Sequence, residues 1–151
     1  MSEAPRGGNI AQAETLRALV PQAPGAARLA SVNVRLVREF RFEAAHLLPN
    51  VPEGHKCARL HGHSFKIDVA VAGPVDPKTG WFLDYDVVDG AFRPLHELLD
   101  HYYLNDIPGL ENPTSELLAR FVWERLLPSL PSLERITVHE TCDARCEYEG
   151  R

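Results

Sequence analysis

Apolar and polar residues alternate along two long stretches of the chain, a pattern typical of half-buried β-strands. In residues 32–46 the apolar side chains share one face with His46, and most of the charged side chains share the other. Residues 61–72 repeat this alternation, and residues 135–141 show a shorter version of it. We predict a strand at each place and interpret residues 81–84 as a further piece of the sheet.

Two later stretches show the spacing of amphipathic helices, over residues 86–99 and 114–126. Asp84 or Asp86 can cap the first of them, and its Gly90 and Pro94 favour a kink. The order of elements is strand, strand, helix, helix, strand. This order predicts an α+β fold with both helices packed on one face of an antiparallel sheet.

The N-terminal part of the chain differs from the rest, because proline and glycine are scattered among alanines over residues 1–30. We predict a flexible or loosely attached extension over 1–30, followed by a folded domain over 31–151. The length of 151 residues suffices for one domain with a buried core.

The net charge limits the kinds of partner. The formal charge of -5 argues against a surface for nucleic acid or anionic membrane, which needs clustered cations. Three cysteines, an odd number, do not make a disulfide framework, and the reducing cytoplasm is their simplest location. No stretch is apolar enough to span a bilayer, and the N-terminus lacks the pattern of a signal peptide. We therefore predict a cytoplasmic protein with neither nucleic acid nor membrane as a partner.

Three histidines suggest a metal site. His61 and His63 flank Gly62 on one face of the second predicted strand, and His46 ends the neighbouring strand. Three protein nitrogens with one open coordination position are typical of catalytic zinc, whereas structural zinc sites fill all four positions with protein ligands. The alternative is that these histidines are polar residues at a strand edge, which their clustering on apolar faces disfavours.

A cysteine and an Asp-His pair could add acid/base chemistry. Cys57 lies between Lys56 and Arg59, whose positive charges would stabilise a thiolate and so favour a reactive cysteine. A fourth zinc ligand and an inert core cysteine are the alternatives for Cys57. Asp100-His101 follows the first helix, where the sequence is equally consistent with an acid/base pair and with a histidine stabilised by the helix dipole.

Short motifs follow one another in a fixed order through nearly all of the folded part. They are Phe42-Glu43-Ala44-Ala45-His46, Cys57-Ala58-Arg59-Leu60-His61-Gly62-His63-Ser64-Phe65, Asp76-Pro77-Lys78-Thr79-Gly80-Trp81, Leu99-Asp100-His101, Leu104-Asn105, Glu111-Asn112-Pro113-Thr114-Ser115-Glu116 and Glu140-Thr141-Cys142. With this set the chain resembles the 6-pyruvoyltetrahydropterin synthase superfamily. The Cys-x-x-x-His-Gly-His spacing is similar to its bacterial branch, the 6-carboxytetrahydropterin synthases.

The resemblance implies the tunnelling fold, an antiparallel four-stranded sheet with two helices on one face, in which the sheets of several subunits close into a barrel. It also implies a homo-oligomer, typically a hexamer built from two trimers, with active sites at the subunit interfaces. The implied reaction converts 7,8-dihydroneopterin triphosphate to 6-carboxytetrahydropterin, acetaldehyde and triphosphate. This reaction is an early step toward the modified tRNA base queuosine.

The resemblance further implies roles for the residues that match its motifs. The roles are His46, His61 and His63 as zinc ligands, Cys57 as catalytic thiol, Asp100 and His101 as its acid/base partners, Glu140 as pterin anchor and Glu116 as a secondary pterin contact. Anchoring has a chemical reason, because a carboxylate accepts two hydrogen bonds from the amino group and ring N–H of a pterin. The alternative for Glu140 is an exposed residue at a strand end.

Two other functions are consistent with these residues. A 6-pyruvoyltetrahydropterin synthase would use the same zinc and cysteine, although the compact spacing between Cys57 and His61 favours the carboxy-forming branch. A non-catalytic, zinc-stabilised binding module would instead use Cys57 as the fourth zinc ligand.

The other cations, cysteines and histidines lie outside the predicted metal site. A triphosphate needs cations, and proximity alone suggests His55, Lys56, Arg59 and Lys66. Cys142 and Cys146 would need two further ligands to hold a metal ion, so we interpret them as incidental. His96 and His139 are likewise interpreted as lying outside the metal site.

Overall fold

Two long antiparallel strands form the centre of the sheet in the computed structural model. β1 (Asn33–His46) pairs with β2 (His61–Pro74) along its whole length. The predicted alternation is confirmed, because on both strands the apolar face is more buried than the face that carries the charged residues. The structure describes residues 32–151, so the predicted extension over 1–30 lies outside the described residues.

Three shorter strands complete the sheet: β3 (Tyr102–Tyr103), β4 (Leu133–His139) and β5 (Arg145–Tyr148). The order is β3-β1-β2-β4-β5, with β3 parallel to β1 and the other neighbours antiparallel. The sheet is therefore mixed and five-stranded, where the sequence predicts four antiparallel strands. β3 and β5 are too short for an alternating pattern to identify them.

The prediction that residues 81–84 form a further piece of the sheet is wrong, because these residues form no strand. A turn over residues 76–81 leads into them, because the Gly80 N–H donates to the Asp76 carbonyl and the Asp76 N–H donates to the Trp81 carbonyl, both at 2.8 Å. Gly80 has a φ of 77°, which glycine adopts without steric cost. Asp84 then caps the following helix, so this segment forms the turn and the cap that lead into it.

The two predicted helices, α1 (Tyr85–Leu99) and α2 (Ser115–Leu126), both form. α1 packs against β1, α2 packs against β4 and β5, and their apolar sides join the sheet in one core. Pro94 is accommodated inside α1, which continues past it to Leu99. Thr114 caps α2 by accepting a hydrogen bond from a backbone N–H of its first turn. Within residues 32–151, no helix has the length and apolar character needed to cross a membrane.

The opposite face of the sheet is polar and carries a row of ion pairs. Glu39 pairs with both Arg41 and Lys66. Asp68 pairs with His139 at 2.9 Å and lies 4.0 Å from the ammonium of Lys66. On this face, acidic and basic side chains therefore largely neutralise one another.

β1 forms one edge of the sheet over most of its length. β3 covers that edge only at Ala44 and Ala45, so residues 33–43 have no strand partner on that side within the described part of the chain. β5 forms the other edge. Unpaired strand edges can hydrogen-bond to the strands of another chain, and the fold therefore leaves two edges available for assembly.

Candidate metal centre

The pairing of β1 and β2 brings three histidines together at one end of the sheet. His46, the last residue of β1, lies directly opposite His61, and His63 follows on β2. The ring centroids are between 4.5 and 5.1 Å apart. One possible ligand atom from each ring and a carboxylate oxygen of Glu140 all lie within 4.8 Å of one another. These four residues, the metal group, could hold a metal ion.

Backbone carbonyl groups fix the orientation of two of the rings. Nδ1 of His46 lies 3.0 Å from the carbonyl oxygen of Pro113, and Nδ1 of His61 lies 2.7 Å from that of Arg59. Because a carbonyl oxygen can only accept, Nδ1 must carry the proton in each ring. The Nε2 lone pair is then free for a metal ion, which is how metal-binding histidines are usually held.

Two imidazole nitrogens of the metal group are buried and have no hydrogen-bond partner within residues 32–151. They are Nε2 of His46 and Nε2 of His63. The nearest oxygen, Oε1 of Glu140, lies 3.5 and 3.3 Å away. An unsatisfied buried polar atom costs about 1–3 kcal/mol, and a metal ion would satisfy both nitrogens at once. The site therefore fits a divalent ion that prefers imidazole ligands.

The same burial keeps the rings in the form that binds metal. Burial lowers the pKa of His46 and of His63 below the ordinary histidine value. The neighbouring imidazole of His61 lowers both pKa values further, and the ammonium of Lys56 adds to the effect on His63, while Glu140 opposes it. Neutral imidazole is the ligand form, so these rings are ready to coordinate a metal at neutral pH.

Glu140 follows β4 directly, since the strand ends at His139 and not at residue 141 as predicted. Its carboxylate nevertheless points to the side of the sheet that holds the histidines. Ser115 Oγ donates a hydrogen bond of 2.7 Å to Oε2 of Glu140, while Oε1 faces the rings of His46 and His63. The sequence does not predict this role of Ser115, although Ser115 lies within the motif around the start of α2. It fixes how the carboxylate is turned.

Glu116 lies apart from the metal group in the single chain. Its side chain is exposed on the first turn of α2, away from the cavities that border the metal group. Its charge acts on Cys146, whose pKa is raised first by burial and then by Glu116. The structure thus does not bring Glu116 together with the metal group.

Cys57 lies in the wall of a cavity beside the metal group. The cavity has a volume of about 620 Å³ and is also lined by His61, His63 and Glu140. Cys57 belongs to a short 3-10 helix (Lys56–Ala58), and its carbonyl oxygen accepts a hydrogen bond of 2.8 Å from the N–H of Leu48. The sulfur is not among the clustered ligand atoms of the metal group. This position disfavours the alternative in which Cys57 is a fourth zinc ligand.

Asp100 and His101 form a hydrogen-bonded pair immediately after α1. The Asp100 carboxylate accepts a 3.0 Å hydrogen bond from the Glu43 N–H and lies 2.9 Å from Nδ1 of His101. The pKa of Asp100 is lowered mainly by the hydrogen bond from the Glu43 N–H and, to a smaller extent, by the hydrogen bond with His101. His101 has a φ of 62°, uncommon for a residue with a side chain, and its N–H donates to the Glu43 carbonyl at 2.6 Å.

One chain does not bring this pair and Cys57 into a common cavity. His101 lines a separate cavity of about 450 Å³, which shares His63 with the cavity of Cys57. The His101 side chain is 77% exposed, so in the single chain it has little protection from solvent. A pair that acts on the same substrate as Cys57 would need further structure to complete the site.

The other histidines and cysteines have different contacts. His96 lies 3.0 Å from the Arg41 carbonyl, and His139 pairs with Asp68. His55 accepts a hydrogen bond from the backbone N–H at the start of the 3-10 helix. None of the three belongs to the metal group. Both Cys142 and Cys146 are free thiols.

Comparison with known proteins connects this geometry to one family. Residues 35–151 match the family model described as 6-pyruvoyl tetrahydropterin synthase. A protein of Synechocystis named 6-carboxy-5,6,7,8-tetrahydropterin synthase is 44% identical, with 75% of this chain and 91% of that protein covered. A protein of Pyrococcus furiosus named dihydroneopterin monophosphate aldolase is 33% identical, with 78% and 99% covered.

The fold is also found among solved structures. The 6-pyruvoyl tetrahydropterin synthase of Caenorhabditis elegans superimposes with a TM-score of 0.74 at 26% sequence identity. The superposition covers 80% of this chain and 97% of the nematode chain. The similarity therefore spans the sheet and both helices.

Proposed function

Because the chain belongs to the 6-pyruvoyl tetrahydropterin synthase family, we propose that it is a 6-carboxy-5,6,7,8-tetrahydropterin synthase, a lyase. Its substrates would be 7,8-dihydroneopterin triphosphate and water, and its products 6-carboxy-5,6,7,8-tetrahydropterin, acetaldehyde and triphosphate. The proposal includes a cytoplasmic location and a place in queuosine biosynthesis. The observation that carries it is the metal group, with two unpaired buried nitrogens, beside a cavity that contains a free cysteine.

We propose zinc as the metal, held by His46, His61 and His63. Zinc favours imidazole nitrogens and in catalytic sites keeps one position for water or substrate. When bound, it would act as a Lewis acid on the side-chain oxygens of the substrate and make an adjacent C–H bond more acidic. The carbonyl groups of Pro113 and Arg59 hold two of the ligand rings in the required orientation.

The pterin ring would be bound by Glu140. Its carboxylate borders the cavity and can accept hydrogen bonds from the amino group and ring N–H of the pterin. Ser115 holds one carboxylate oxygen in place, so the group is partly oriented before substrate arrives. Glu116 remains a proposed secondary contact, which the assembled protein would have to form.

Proton transfer would be shared between Cys57 and the Asp100–His101 pair. Cys57, in the wall of the cavity, would remove or return a proton on one face of the substrate side chain. The Asp100 carboxylate would orient the His101 imidazole and stabilise its protonated form on the other face. Both the elimination of triphosphate and the cleavage of a carbon–carbon bond need such proton transfers.

We propose that the site is completed by assembly into a hexamer of two trimers, with the sheets joined into a barrel. Two observations support assembly: the edge of β1 over residues 33–40, which has no strand partner among the described residues, and the separate cavities of Cys57 and His101. If several copies join at these edges, the exposed Asp100–His101 pair of one copy can approach the cavity of a neighbour. Water would then be excluded from both groups.

The test is a product assay with the purified, zinc-loaded protein. The protein is incubated with 7,8-dihydroneopterin triphosphate, and the products are identified by mass for the wild type and for Cys57→Ala. Acetaldehyde and the carboxy product from the wild type alone would support the proposal. A pyruvoyl product would identify the other branch, and no turnover at full zinc occupancy would overturn the enzymatic function.

Two alternative functions agree less well with the residues around the metal group. The pyruvoyl-forming reaction would use the same residues, but the short spacing between Cys57 and His61 and the Synechocystis relative favour the carboxy-forming branch. The non-catalytic binding module requires Cys57 as a zinc ligand, whereas the fourth member of the metal group is Glu140. The P. furiosus relative adds the dihydroneopterin monophosphate to the substrates that the assay should include.

A further inference from the structure

Two cations that have no acidic partner in the described part of the chain line the cavity next to the metal group. We propose that Lys56 and Arg59 form the subsite for the triphosphate of the substrate, which selects a polyphosphate over a monophosphate or an unphosphorylated pterin. This inference rests on the proposed function and assigns a part of the substrate for which sequence proximity left several candidates.

Lys56 and Arg59 give one part of the cavity a positive charge. Lys56 and Arg59 both line the cavity of about 620 Å³, and neither forms an ion pair with any described residue. Among residues 32–151, Glu140 is the only acidic side chain that lines this cavity, and it is held by Ser115 and faces the histidines. A positive region thus lies at the part of the cavity next to Cys57. A polyphosphate is the part of the substrate that would be attracted to it.

Hydrogen bonds fix the backbone of the loop that carries Lys56 and Arg59. The carbonyl oxygen of Arg59 accepts the hydrogen bond from Nδ1 of His61, so the backbone of Arg59 is fixed to a metal ligand. The Cys57 carbonyl oxygen is tied to the N–H of Leu48, and the Arg59 N–H donates to the Lys56 carbonyl at 3.3 Å. The cations are therefore carried on a loop that is anchored on both sides. Both cations line the same cavity as Glu140, His61 and His63, so a substrate bound at the metal group lies in the cavity that they border.

Two other cations near the metal group, Arg41 and Lys66, are less suited to bind the phosphates. Arg41 and Lys66 line a neighbouring cavity of about 610 Å³ that also contains His63 and Glu140. Their charges are offset by carboxylates, since Glu39 pairs with both of them and Asp68 lies 4.0 Å from the Lys66 ammonium. A phosphate bound there would have to displace a carboxylate or lie beside it. The guanidinium of Arg59, which is unpaired among the residues that the structure describes, can bind two phosphate oxygens in parallel.

The experiment measures binding of inorganic triphosphate to the zinc-loaded, full-length protein by calorimetry. Zinc content is determined before and after each titration, because polyphosphate can itself bind the metal. The variants are Lys56→Gln, Arg59→Gln and the double variant. The matched controls are Arg41→Gln and Lys66→Gln, which remove compensated cations from the neighbouring cavity. The Arg59 substitution leaves the backbone hydrogen bond to His61 intact.

We expect the double variant to bind triphosphate at least roughly tenfold more weakly than the wild type, with each single variant in between. The controls should stay within about threefold of the wild type, and Arg59→Lys should retain most of the affinity. The proposal is overturned if the wild type does not bind triphosphate, or if the control variants lose as much affinity as the double variant.

The kinetic counterpart separates this inference from the proposed function. In the product assay the double variant should show a raised KM for the triphosphate substrate, and its preference over the monophosphate should shrink. If the wild type binds triphosphate as expected but forms no product, the proposed reaction fails while the subsite stands. If the wild type forms product and the double variant has an unchanged KM, the subsite fails alone.

Discussion

The metal group and the Asp100–His101 pair lie near the same end of β1, but one chain holds them in opposite ways. His46 is completely buried and its ring is fixed by a carbonyl group, so the metal position is built into the single domain. His101 is largely exposed and is positioned by its own backbone and by Asp100. A single chain can therefore hold its metal ligands in fixed, buried positions while the neighbouring acid/base pair is still exposed to solvent.

The physical reason is the different demand of the two tasks. A metal ion needs several ligand atoms at fixed distances, which rigid paired strands supply. Proton transfer to a substrate instead needs a group that can approach the reacting atoms and is shielded from water once it does. If this contrast is correct, substitutions in the two regions should separate metal binding from turnover.

The largest effect is expected from His61→Ala, which removes a ligand from the metal group. Zinc content should fall and product formation should drop by more than the roughly 10- to 100-fold typical for residues that only orient a ligand. Metal analysis and the product assay measure both. The control is His96→Ala, which removes a histidine outside the metal group and should leave zinc and turnover intact. Full zinc content in His61→Ala would break the comparison.

The next largest effect is expected from His101→Asn, which removes the imidazole but tolerates the left-handed backbone at this position. Turnover should fall by about 10²- to 10⁴-fold, the range for loss of a general acid or base. Zinc content should equal that of the wild type, because His101 is not a member of the metal group. Parallel loss of zinc and activity would show that the two regions are not independent.

A smaller effect is expected from Ser115→Ala, which removes the hydrogen bond to Glu140. A hydrogen bond to a charged group contributes about 1.5–3 kcal/mol, so the KM for the substrate should rise at least roughly tenfold. The kcat should change less, because the oriented carboxylate would act mainly in binding. Ser115→Thr restores the hydroxyl and should recover most of the loss. An unchanged KM in Ser115→Ala would remove Ser115 from the site.

The smallest effect concerns the stability of the metal-free protein between pH 8 and pH 6. Burial lowers the pKa of His46 and His63 in the folded state, so the unfolded chain binds protons first as the pH falls. The stabilising contribution is present above the unfolded histidine pKa of about 6.5 and is lost as the pH falls below it. Urea denaturation should therefore show a lower midpoint at pH 6.

His63→Gln provides the matched measurement for this pH dependence. Glutamine does not titrate in this range, so the variant should lose part of the difference between the two pH values. A midpoint that rises on acidification in the wild type would contradict the buried, neutral state of these rings.

The sequence predicts the elements that have a long repeating pattern. Both long strands and both helices are recovered because burial imposes a period on many successive residues. β3 and β5 are not recovered, because their pairing depends on neighbours that are distant in the chain. The same limit applies to residues 81–84, where a turn and a helix cap override an apolar appearance.

The candidate site shows the same division. The histidine cluster is readable because the period of two in a strand places His61 and His63 on one face. The contribution of Ser115 is invisible in sequence, since it depends on how the start of α2 meets the end of β4. The compensated state of Lys66 could not be read either, because one of its partners, Glu39, lies on another strand. Nearness in the sequence therefore could not distinguish the cations that form ion pairs from those that do not.

The register of β1 and β2 has a consequence for how the protein folds. His46 is separated from His61 by a loop of intervening residues and meets it only in the observed alignment of the two strands. A slip of one residue would turn every side chain of one strand to the opposite face and separate the rings. A metal ion would therefore bind only the correctly aligned pair of strands. Its binding free energy would stabilise this alignment relative to the shifted ones.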